Sequence, residues 1–531
     1  MIATVSQIIT DFIKVNRIDY DPTYSRLSKL HKYWARKPWF VIEKYISRYS
    51  NEKDLVIDPF CGSGLMGLEA AIQHRNFIGY DLNPIAAFLA NNTLLVDFDT
   101  DSFDNEYKVI ENDLKKRIMD LYAHGDNYVL YSIPGIKNTK DYNAVLTDYD
   151  LKLRKKVTID LSSVVSEIVI PSSLYYPDKA FPTKFYKDRF SYKGVRTVSD
   201  MFSKRNLLAL ALIFNRIRSS EFKYKSLFLL AFTNTLLHVS KLKAENVRPL
   251  SVNNFWIPDD FIEENVWWRF SDRVRNVRIA KTALLQRVTT GVSGPLGSHR
   301  ILNKSSLCMD EIKDSSVDYV ITDPPYGDAI QYSELSYIWN CWLGLDYDIQ
   351  DEVIINPVQG KGIEEYVVQI SKSIDEIMRV LKNRGYFTLC FHNKDSRIWI
   401  KVAELLRDAG LTVVDIASYD TFGSPYNKSW ASFSPKSDIY LTMQKSSSKA
   451  YRHNNRVLDP QQIAQDICSY LVVSNGSTFN LNKAYDLFVA VLVIEIMQGN
   501  GIADYSKLNI KSIVQLFEVV LKDGNFQGRF F

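Results

Sequence analysis

The sequence predicts an α/β fold, in which a mostly parallel sheet is covered by helices on both faces. Three observations support this. Short apolar segments of strand length alternate with amphipathic helical segments in two separate parts of the chain. Between those parts lies an insert of roughly 200 residues with a mixed β and helical pattern, and a helical segment follows the second part. Two of the strands end abruptly in turns, and ligands of open α/β sheets bind at the carboxyl ends of strands.

The first part begins with residues 31–39, the aromatic and basic run His-Lys-Tyr-Trp-Ala-Arg-Lys-Pro-Trp, followed by an amphipathic helix. A short strand over 54–58 then enters a glycine-rich turn, and a helix is predicted over 65–73. Gly62 and Gly64 permit positive φ and a close approach by a ligand. The turn lacks both the G-x-G-x-x-G dinucleotide pattern and the Gly-Lys-Ser/Thr of a phosphate loop, so a phosphate-cradling role is only weakly indicated.

The second strand, over 76–80, ends in Asp81. An acidic residue at the end of the second strand is placed to hydrogen-bond ribose hydroxyls. The sequence therefore predicts a nucleoside-containing ligand beside the glycine-rich turn.

The insert carries most of the positive charge. Residues 151–300 contain 26 Lys and Arg against 12 Asp and Glu, a local excess of +14, although the whole chain has a net charge of only +4. Its first part, about 125–195, is β-rich and aromatic, and its second part is helical, with helices predicted over 206–217, 227–242 and 266–286. A segregated basic segment indicates a nucleic-acid face, and the alternative is a solvated surface without a partner.

The other strand that ends abruptly is predicted over the β-branched run 317–322, which leads directly into Asp323-Pro324-Pro325-Tyr326. Two consecutive prolines hold Asp323 and Pro324 extended, so the loop is stiff. Asp323 and the Pro324 carbonyl are two acceptors that would suit methylation of the exocyclic amine of a nucleobase, with Tyr326 stacking on the base. The alternative is a strand-ending turn whose aspartate caps a helix.

After this loop, helices are predicted over 332–343, 363–381 and 398–409, and strands over 385–391, 411–418 and 438–444. Ser446-Ser447-Ser448-Lys449 is predicted to be a linker to C-terminal helices near 461–473, 481–497 and 510–522. The domain division predicted from this order is 1–94, 95–298, 299–445 and 446–531.

Composition excludes several other classes of protein. The only apolar stretch in the first 16 residues contains Asp11 and Lys14, so neither a signal peptide nor a membrane span is expected, and the protein is expected to be cytoplasmic. The five cysteines show no CxxC spacing and no close histidine, which gives no indication of a disulfide framework or a metal site. They are Cys61, Cys308, Cys341, Cys390 and Cys468.

The two turns together resemble the motifs of the S-adenosylmethionine-dependent amino-methyltransferases that act on DNA. Asp58-Pro59-Phe60-Cys61-Gly62-Ser63-Gly64 is similar to their cofactor motif, and Asp323-Pro324-Pro325-Tyr326 to their catalytic motif. The resemblance covers about 30–94 and 299–445 and implies a Rossmann-like class I methyltransferase sheet. The cofactor site that it implies comprises Lys37, Pro38, Asp58, Pro59, Phe60, Cys61, Gly62, Gly64, Asp81 and Ser305. Family members usually carry an acidic residue where Ser305 stands.

The order of cofactor motif, insert and catalytic motif is that of the alpha group of these enzymes, whose insert is the target-recognition domain. Some relatives with a similar His-Lys-Tyr-Trp-Ala-Arg start carry a zinc ribbon there, which this insert cannot build without paired cysteines. The resemblance implies double-stranded DNA as partner, without a membrane. The residues predicted to contact DNA are Lys184, Lys187, Arg189, Arg269, Arg273 and Arg278.

The predicted function is therefore site-specific DNA methylation in restriction-modification or phage defence, with a cognate endonuclease or a defence-system subunit as a possible partner. Aspartate at the first catalytic position is commoner among adenine-N6 enzymes, which favours that base over cytosine N4. Two further alternatives stay open, namely an RNA or tRNA base methyltransferase and a DNA-recognition subunit without catalysis.

Overall fold

The computed structural model describes most of the chain. The described residues are 30–34, 36–133, 141–160, 168–185, 193–245, 249, 255–291, 294–346, 348–393, 395–420, 437–446, 457–475, 480–503 and 508–523. Among them, no helix combines the length and the apolar character needed to cross a bilayer.

The part before the insert contains two strands and three helices. They are α1 (Trp39–Tyr49), β1 (Leu55–Asp58), α2 (Leu65–Ile72), β2 (Asn76–Tyr80) and α3 (Pro84–Leu94). The strand and helix on either side of the glycine-rich turn lie where the sequence predicts them.

The insert combines helices with a small antiparallel sheet. Its elements are α4 (Thr100–Asp120), β3 (Ala123–His124), β4 (Asn127–Ile133), β5 (Asp141–Thr147), β6 (Lys155–Asp160), α5 (Lys204–Arg218), α6 (Lys225–Leu236), β7 (Glu263–Glu264) and α7 (Val266–Gly291). Neighbouring strands of this sheet follow the order β3-β4-β5-β6, and β7 pairs with β4.

The insert differs from the sequence prediction in several respects. The part predicted to be β-rich over about 125–195 has its longer strands within 127–160, and the described residues 168–185 contain no strand. The 21-residue helix α4 was not predicted, although Phe103, Ile110, Leu114 and Ile118 form a buried stripe along it. Helix α6 ends at Leu236 rather than at 242, even though the apolar pattern continues. The chain leaves the helix there because the residues that follow bind another part of the insert. The Lys241 amide donates to the Met201 carbonyl at 2.8 Å.

The part after the insert completes the main sheet. Its elements are β8 (His299–Leu302), β9 (Val317–Thr322), α8 (Tyr332–Leu343), α9 (Ile363–Val380), β10 (Leu381–Phe391), α10 (Ser396–Asp408), β11 (Leu411–Asp420) and β12 (Ser437–Lys445). The C-terminal segment adds β13 (Val457–Leu458), α11 (Pro460–Asn475), α12 (Leu481–Met497), β14 (Gly501–Ile502) and α13 (Ile510–Asp523).

The main sheet has seven strands in the order β11-β12-β10-β9-β1-β2-β8. Strand β12 is antiparallel to both of its neighbours, and the other adjacent pairs are parallel. The predicted α/β fold with a mostly parallel, Rossmann-like sheet is confirmed. Strands β1 and β9 are central neighbours, with Val56 opposite Tyr319 and Ile57 opposite Val320. The glycine-rich turn and the Asp-Pro-Pro-Tyr loop therefore leave the sheet side by side.

Three clusters of buried side chains hold these layers together. One cluster joins α1 and α2 to one face of the sheet. A second joins the other face to α9, α10 and the C-terminal helices, so the segment after the predicted linker shares its core with the sheet. In the third, the insert packs against α3 and α8 through Leu89 and Trp339 among others. The insert is thus anchored beside the two helices that follow β2 and the Asp-Pro-Pro-Tyr loop.

Candidate active site

The glycine-rich turn is fixed between β1, β2 and α3. The Cys61 amide donates to the Tyr80 carbonyl of β2 at 2.8 Å, and Gly64 caps α2 with φ of +77°. A Cβ on Gly64 would lie 2.7 Å from the Ala90 Cα, closer than side-chain carbons approach backbone. Gly62, with φ of +49°, lies against the Tyr33 ring. Both glycines are therefore required by backbone conformation, and Gly64 also by lack of space.

Asp81 is oriented by the same turn. Its Oδ2 accepts a hydrogen bond from the Gly62 amide at 2.9 Å, and its Oδ1 accepts one from the Asn83 amide at 2.9 Å. Each carboxylate oxygen keeps a lone pair for a further donor. The carboxylate is thus preorganised to accept two hydroxyl groups, which is the role that its position at the end of β2 predicts.

The catalytic loop is anchored on both sides of its central carbonyl. Thr322 donates to Asp58 Oδ1 at 2.6 Å, Tyr366 donates to the Pro325 carbonyl at 2.7 Å, and Asn393 donates to the Tyr326 carbonyl at 3.4 Å. Among the described residues, none donates to the Pro324 carbonyl. The Pro324 carbonyl, which the sequence predicts as an acceptor for the target amine, therefore has no donor within the described part of the chain.

Lys37 lies within the catalytic loop's own hydrogen-bond network. Its Nζ is 3.0 Å from Asp323 Oδ2 and 3.0 Å from Asp438 Oδ2 on β12, and it donates to the Tyr326 hydroxyl. That hydroxyl in turn donates to Asp323 Oδ1. Lys37 was predicted to contact the cofactor, but its described partners are the two carboxylates and the tyrosine hydroxyl.

Tyr326 does not face the cleft. Its ring is 8% exposed and meets Phe391 edge-on, with a centroid distance of 5.4 Å. With its hydroxyl bonded to Asp323, the ring is held against Lys37, whose Nζ lies 5.0 Å from the ring centroid. The predicted stacking of Tyr326 on a base would need this hydroxyl to be released.

A single cleft of about 910 Å³ brings most of the predicted residues together. Its lining includes Lys37, Asp58, Pro59, Phe60, Cys61, Gly62, Asp81, Ser305, Asp323 and Pro325. Four other predicted residues support this cleft without lining it, namely Pro38, Gly64, Pro324 and Tyr326. Pro38 caps α1, and Pro324 lies over a second, apolar cavity.

Several lining residues were not predicted. Tyr33 and Trp34 form an aromatic wall with Tyr332, and the rings of Tyr33 and Tyr332 stack at 5.9 Å. Arg36 and Glu352 also line the cleft. The aromatic and basic run at 31–39 was the sequence signal for part of this lining. The spacing of its aromatic residues fits neither a helix nor a strand, so the sequence does not indicate which of its side chains face a ligand.

Ser305 lines the cleft at the position where the resemblance leads one to expect a carboxylate. Its hydroxyl accepts a hydrogen bond from the Leu307 amide at 3.2 Å, which closes a local turn. A contact from Ser305 to a ligand would therefore be an uncharged hydrogen bond.

Burial raises the pKa of the carboxyl groups around the cleft. The pKa of Asp323 is raised to about 6 by burial, against the lowering effect of Lys37. Burial likewise raises the pKa of Asp81 to about 7 and that of Asp58 to about 8. Burial thus favours the neutral form of these carboxyl groups, and a nearby cation would favour their charged form.

The predicted DNA contacts have a mixed outcome. Lys184 is exposed, whereas Lys187 and Arg189 lie outside the described residues. On α7, Arg269 binds Glu264 at 2.6 Å, Arg273 binds Asp272 at 2.6 Å, and Arg278 makes a two-pronged contact with Asp104 at 2.7 and 2.8 Å. These three arginines have acidic partners within the chain, and their role in DNA binding stays a prediction.

Comparison with known proteins agrees with the two motifs. The profile of a family described as DNA methylase matches residues 7–92. Type II methyltransferase M.MjaII of Methanocaldococcus jannaschii is 23% identical over 441 residues, covering 75% of this chain and 79% of the relative. Type II methyltransferase M.MvaI of Kocuria varians is 27% identical over 212 residues, and M.HpaI of Haemophilus parainfluenzae is 30% identical over 125 residues.

These last two matches cover 37% and 23% of this chain, and the chain spans only 44% and 40% of the length of those relatives. The profile match includes the aromatic and basic run, the glycine-rich turn and Asp81. These matches show that residues 7–92 are similar to the DNA methylase family and that the chain is similar to type II DNA methyltransferases.

Proposed function

We propose that this protein is an S-adenosylmethionine-dependent DNA amino-methyltransferase, which methylates the exocyclic nitrogen of a base turned out of the duplex. One observation carries the proposal: Asp323 opens into the same cleft as the Gly62 turn and Asp81. A methyl donor and its acceptor must meet in one cavity for direct transfer. A turn that only capped a helix would not need to share a cleft with a nucleoside-binding carboxylate.

The cleft residues fit the proposed cofactor. Asp81, held by two backbone amides, would accept both ribose hydroxyls, and the side-chain-free Gly62 lets a ligand approach the main chain. The carboxyl groups of Asp58, Asp81 and Asp323 suit a ligand that carries a sulfonium charge. When bound, S-adenosylmethionine would supply the methyl group that is transferred, activated by the positive charge of its sulfonium sulfur.

The chain's own contribution to the reaction is to orient and polarise the amine. Asp323 and the unused Pro324 carbonyl would accept the two N–H groups of the target amine, which draws its lone pair out of the ring. Asp323 is also placed to take the proton that nitrogen loses after transfer. Positioning of this kind is worth several kcal/mol in enzymes, on the order of 7 to 11 at best. No metal ion is needed for these steps.

The target base is proposed to be adenine, methylated at N6, because aspartate stands at the first position of the loop. Adenine and cytosine both present an NH2 group beside a ring nitrogen. The aromatic wall of Tyr33, Trp34 and Tyr332 at the cleft, rather than the buried Tyr326, offers faces for stacking.

The proposed substrate, double-stranded DNA, and the proposed role in restriction-modification rest on the family match and on relatives that are named type II methyltransferases. A cognate restriction endonuclease is the partner that such a role would require. Digestion of plasmid DNA from expressing cells with a panel of endonucleases would test it, because methylation of the shared site blocks cleavage.

The DNA-contacting surface is proposed to include the β5–β6 hairpin of the insert. Residues 149–156 are all exposed, and they include Arg154, Lys155 and Lys156, which make no ion pair among the described residues. Leu151 and Leu153 are 42% and 44% exposed beside these cations. Cations without internal partners can exchange counterions for DNA phosphates at lower cost than the paired arginines of α7.

The deciding experiment supplies purified protein with methyl-labelled cofactor and, in parallel, duplex DNA or tRNA. We expect label only in DNA, and N6-methyladenine as the modified nucleoside by mass spectrometry. N4-methylcytosine would change the base and keep the mechanism. Label in tRNA alone would support an RNA enzyme. Cofactor binding by calorimetry without any transfer would support a DNA-recognition subunit that does not catalyse.

A further inference from the structure

A buried lysine is shared between the catalytic carboxylate and a second carboxylate on β12. The Lys37 side chain is 3% exposed, and its Nζ lies 3.0 Å from one oxygen of Asp323 and 3.0 Å from one oxygen of Asp438. Asp438 is also buried, with a side chain 10% exposed. Strand β12 is the one antiparallel strand of the main sheet, and its start brings Asp438 to the edge where the catalytic loop lies.

The lysine has no donor left for the cofactor. An ammonium group has three N–H donors, and those of Lys37 reach Asp323, Asp438 and the Tyr326 hydroxyl. The hydroxyl of Tyr326 then donates to the other oxygen of Asp323. In this arrangement both oxygens of Asp323 already have a donor, and each oxygen keeps one lone pair for a further donor.

We propose that Lys37 and Asp438 are positioning residues for methyl transfer. Lys37 keeps the Asp323 carboxylate charged and oriented. Asp438 shares the Lys37 ammonium, so that the ammonium binds Asp323 less tightly. This inference rests on the proposed function of the site. With Asp438 present, the ammonium can stay bound as the target amine takes its place beside Asp323. Without Asp438, the ammonium would pair with Asp323 alone and compete with the amine.

The two residues have opposite electrostatic effects on Asp323. Burial raises the pKa of Asp323, Lys37 lowers it, and Asp438 raises it by repulsion. For Lys37, burial alone would lower the pKa, but Asp323 and Asp438 together raise it above the ordinary lysine value. Lys37 is therefore a cation throughout the pH range of an assay. Other titratable groups that interact with this network are Asp58 on β1, Tyr332 on α8, Cys390 on β10 and Tyr440 on β12.

The test compares Lys37→Met with Asp438→Asn by the pH dependence of single-turnover methyl transfer. In Lys37→Met, the acid limb should move to higher pH by about 1 to 3 units, the effect of losing an adjacent opposite charge. At pH 6.5 a shift of this size lowers the ionised fraction of Asp323, and so the expected rate, by about three-fold to about two-hundred-fold, with part of the loss recovered at pH 8.5. In Asp438→Asn, the acid limb should move to lower pH and the KM for DNA should rise. Lys37→Arg should restore the acid limb of Lys37→Met.

A second readout does not depend on turnover. Carbodiimide labels protonated carboxyl groups, so the fraction of Asp323 labelled against pH, measured by peptide mass spectrometry, follows its charge. The labelling midpoint should rise in Lys37→Met and fall in Asp438→Asn. The double variant Lys37→Met/Asp438→Asn removes one charge of each sign, and its midpoint should lie below that of Lys37→Met. If Lys37→Met does not fold, the double variant is compared with Asp438→Asn instead, and its midpoint should lie above that of Asp438→Asn.

The positioning role would be overturned if the labelling midpoint of Asp323 did not move in Lys37→Met and Asp438→Asn, or moved in the same direction in both. This outcome does not depend on whether the wild-type protein transfers methyl groups. Opposite shifts in labelling in a protein that methylates neither DNA nor RNA would keep the pair and overturn the proposed function. Opposite shifts in both labelling and rate would support the two proposals together.

Discussion

The Thr322 hydroxyl, at the end of β9, donates a 2.6 Å hydrogen bond to Asp58 Oδ1 at the end of β1. Thr322 is 1% exposed and Asp58 is 2% exposed, so the bond is shielded from water. Asp58 begins the glycine-rich turn, and Thr322 directly precedes Asp323. This bond therefore ties the proposed cofactor turn to the proposed catalytic loop across two neighbouring strands.

Replacing Thr322 by valine should loosen this connection. Valine has nearly the same shape but leaves a buried oxygen of Asp58 without one of its donors, which costs about 1 to 3 kcal/mol. Chemical denaturation would measure the loss, and Thr322→Ser, which keeps the hydroxyl, should recover most of it. Equal stability of the valine and serine variants would show that the bond contributes nothing.

Cofactor affinity should depend on Asp81. Asp81→Ala removes the acceptor for the ribose hydroxyls, and we expect calorimetric binding of S-adenosylmethionine to weaken by about 1.5 to 3 kcal/mol, the range for hydrogen bonds to a charged group. Asp351→Asn is the matched control, because Asp351 is an exposed carboxylate on the same cleft. Equal losses in both variants would mean that only the overall charge of the cleft matters.

Turnover should require the ionised form of Asp323. Burial raises the pKa of this carboxyl to about 6. Below that pH the group is protonated and loses its acceptor role, so the single-turnover rate should rise as the pH increases through about 6. Asp323→Asn should abolish transfer and leave calorimetric binding of the cofactor intact. A rate independent of pH between 5 and 8 would exclude Asp323 as the titrating group.

Gly64→Ala should destabilise the cofactor turn more than its backbone angle alone predicts. A Cβ there would lie 2.7 Å from the Ala90 Cα, so α2 and α3 would have to separate. Gly344→Ala is the matched control, since Gly344 has φ of +66° and nothing within 4 Å of the added carbon. Both substitutions cost about 1 to 2 kcal/mol for the left-handed angle. Thermal melting should show a larger loss of stability in Gly64→Ala than in Gly344→Ala. Calorimetry should show weaker cofactor binding only in Gly64→Ala.

DNA affinity should depend on the β5–β6 hairpin. Replacing Arg154, Lys155 and Lys156 by glutamine should reduce the slope of log K against log salt by about three, one for each lost phosphate contact. Arg273→Gln/Arg278→Gln tests the contacts first predicted on α7, and a smaller change is expected because their acidic partners are within the chain. A larger change in the α7 variant would assign the phosphate contacts to that helix.

The strands and helices around both turns could be predicted because their hydrophobic periods are clear and their ends carry glycine, proline or aspartate. Helix α8 begins at Tyr332 and ends at Leu343 as predicted, while α4 was missed because its polar face outweighs a narrow apolar stripe. The residues of the site follow from motifs that end adjacent strands. The partner of Lys37 could not be predicted, because Asp438 stands about 400 residues later and no local pattern distinguishes it.

The pairing of β1 with β9 also has a consequence for the order of folding. Val56 pairs with Tyr319 across the whole insert. Closing a flexible loop of that length costs about 5 kcal/mol in chain entropy, by the logarithmic dependence on loop length. An insert that folds first on its own core shortens the loop that remains to be closed. Refolding of the main sheet should therefore be slowed by substitutions inside the insert that never touch the cleft.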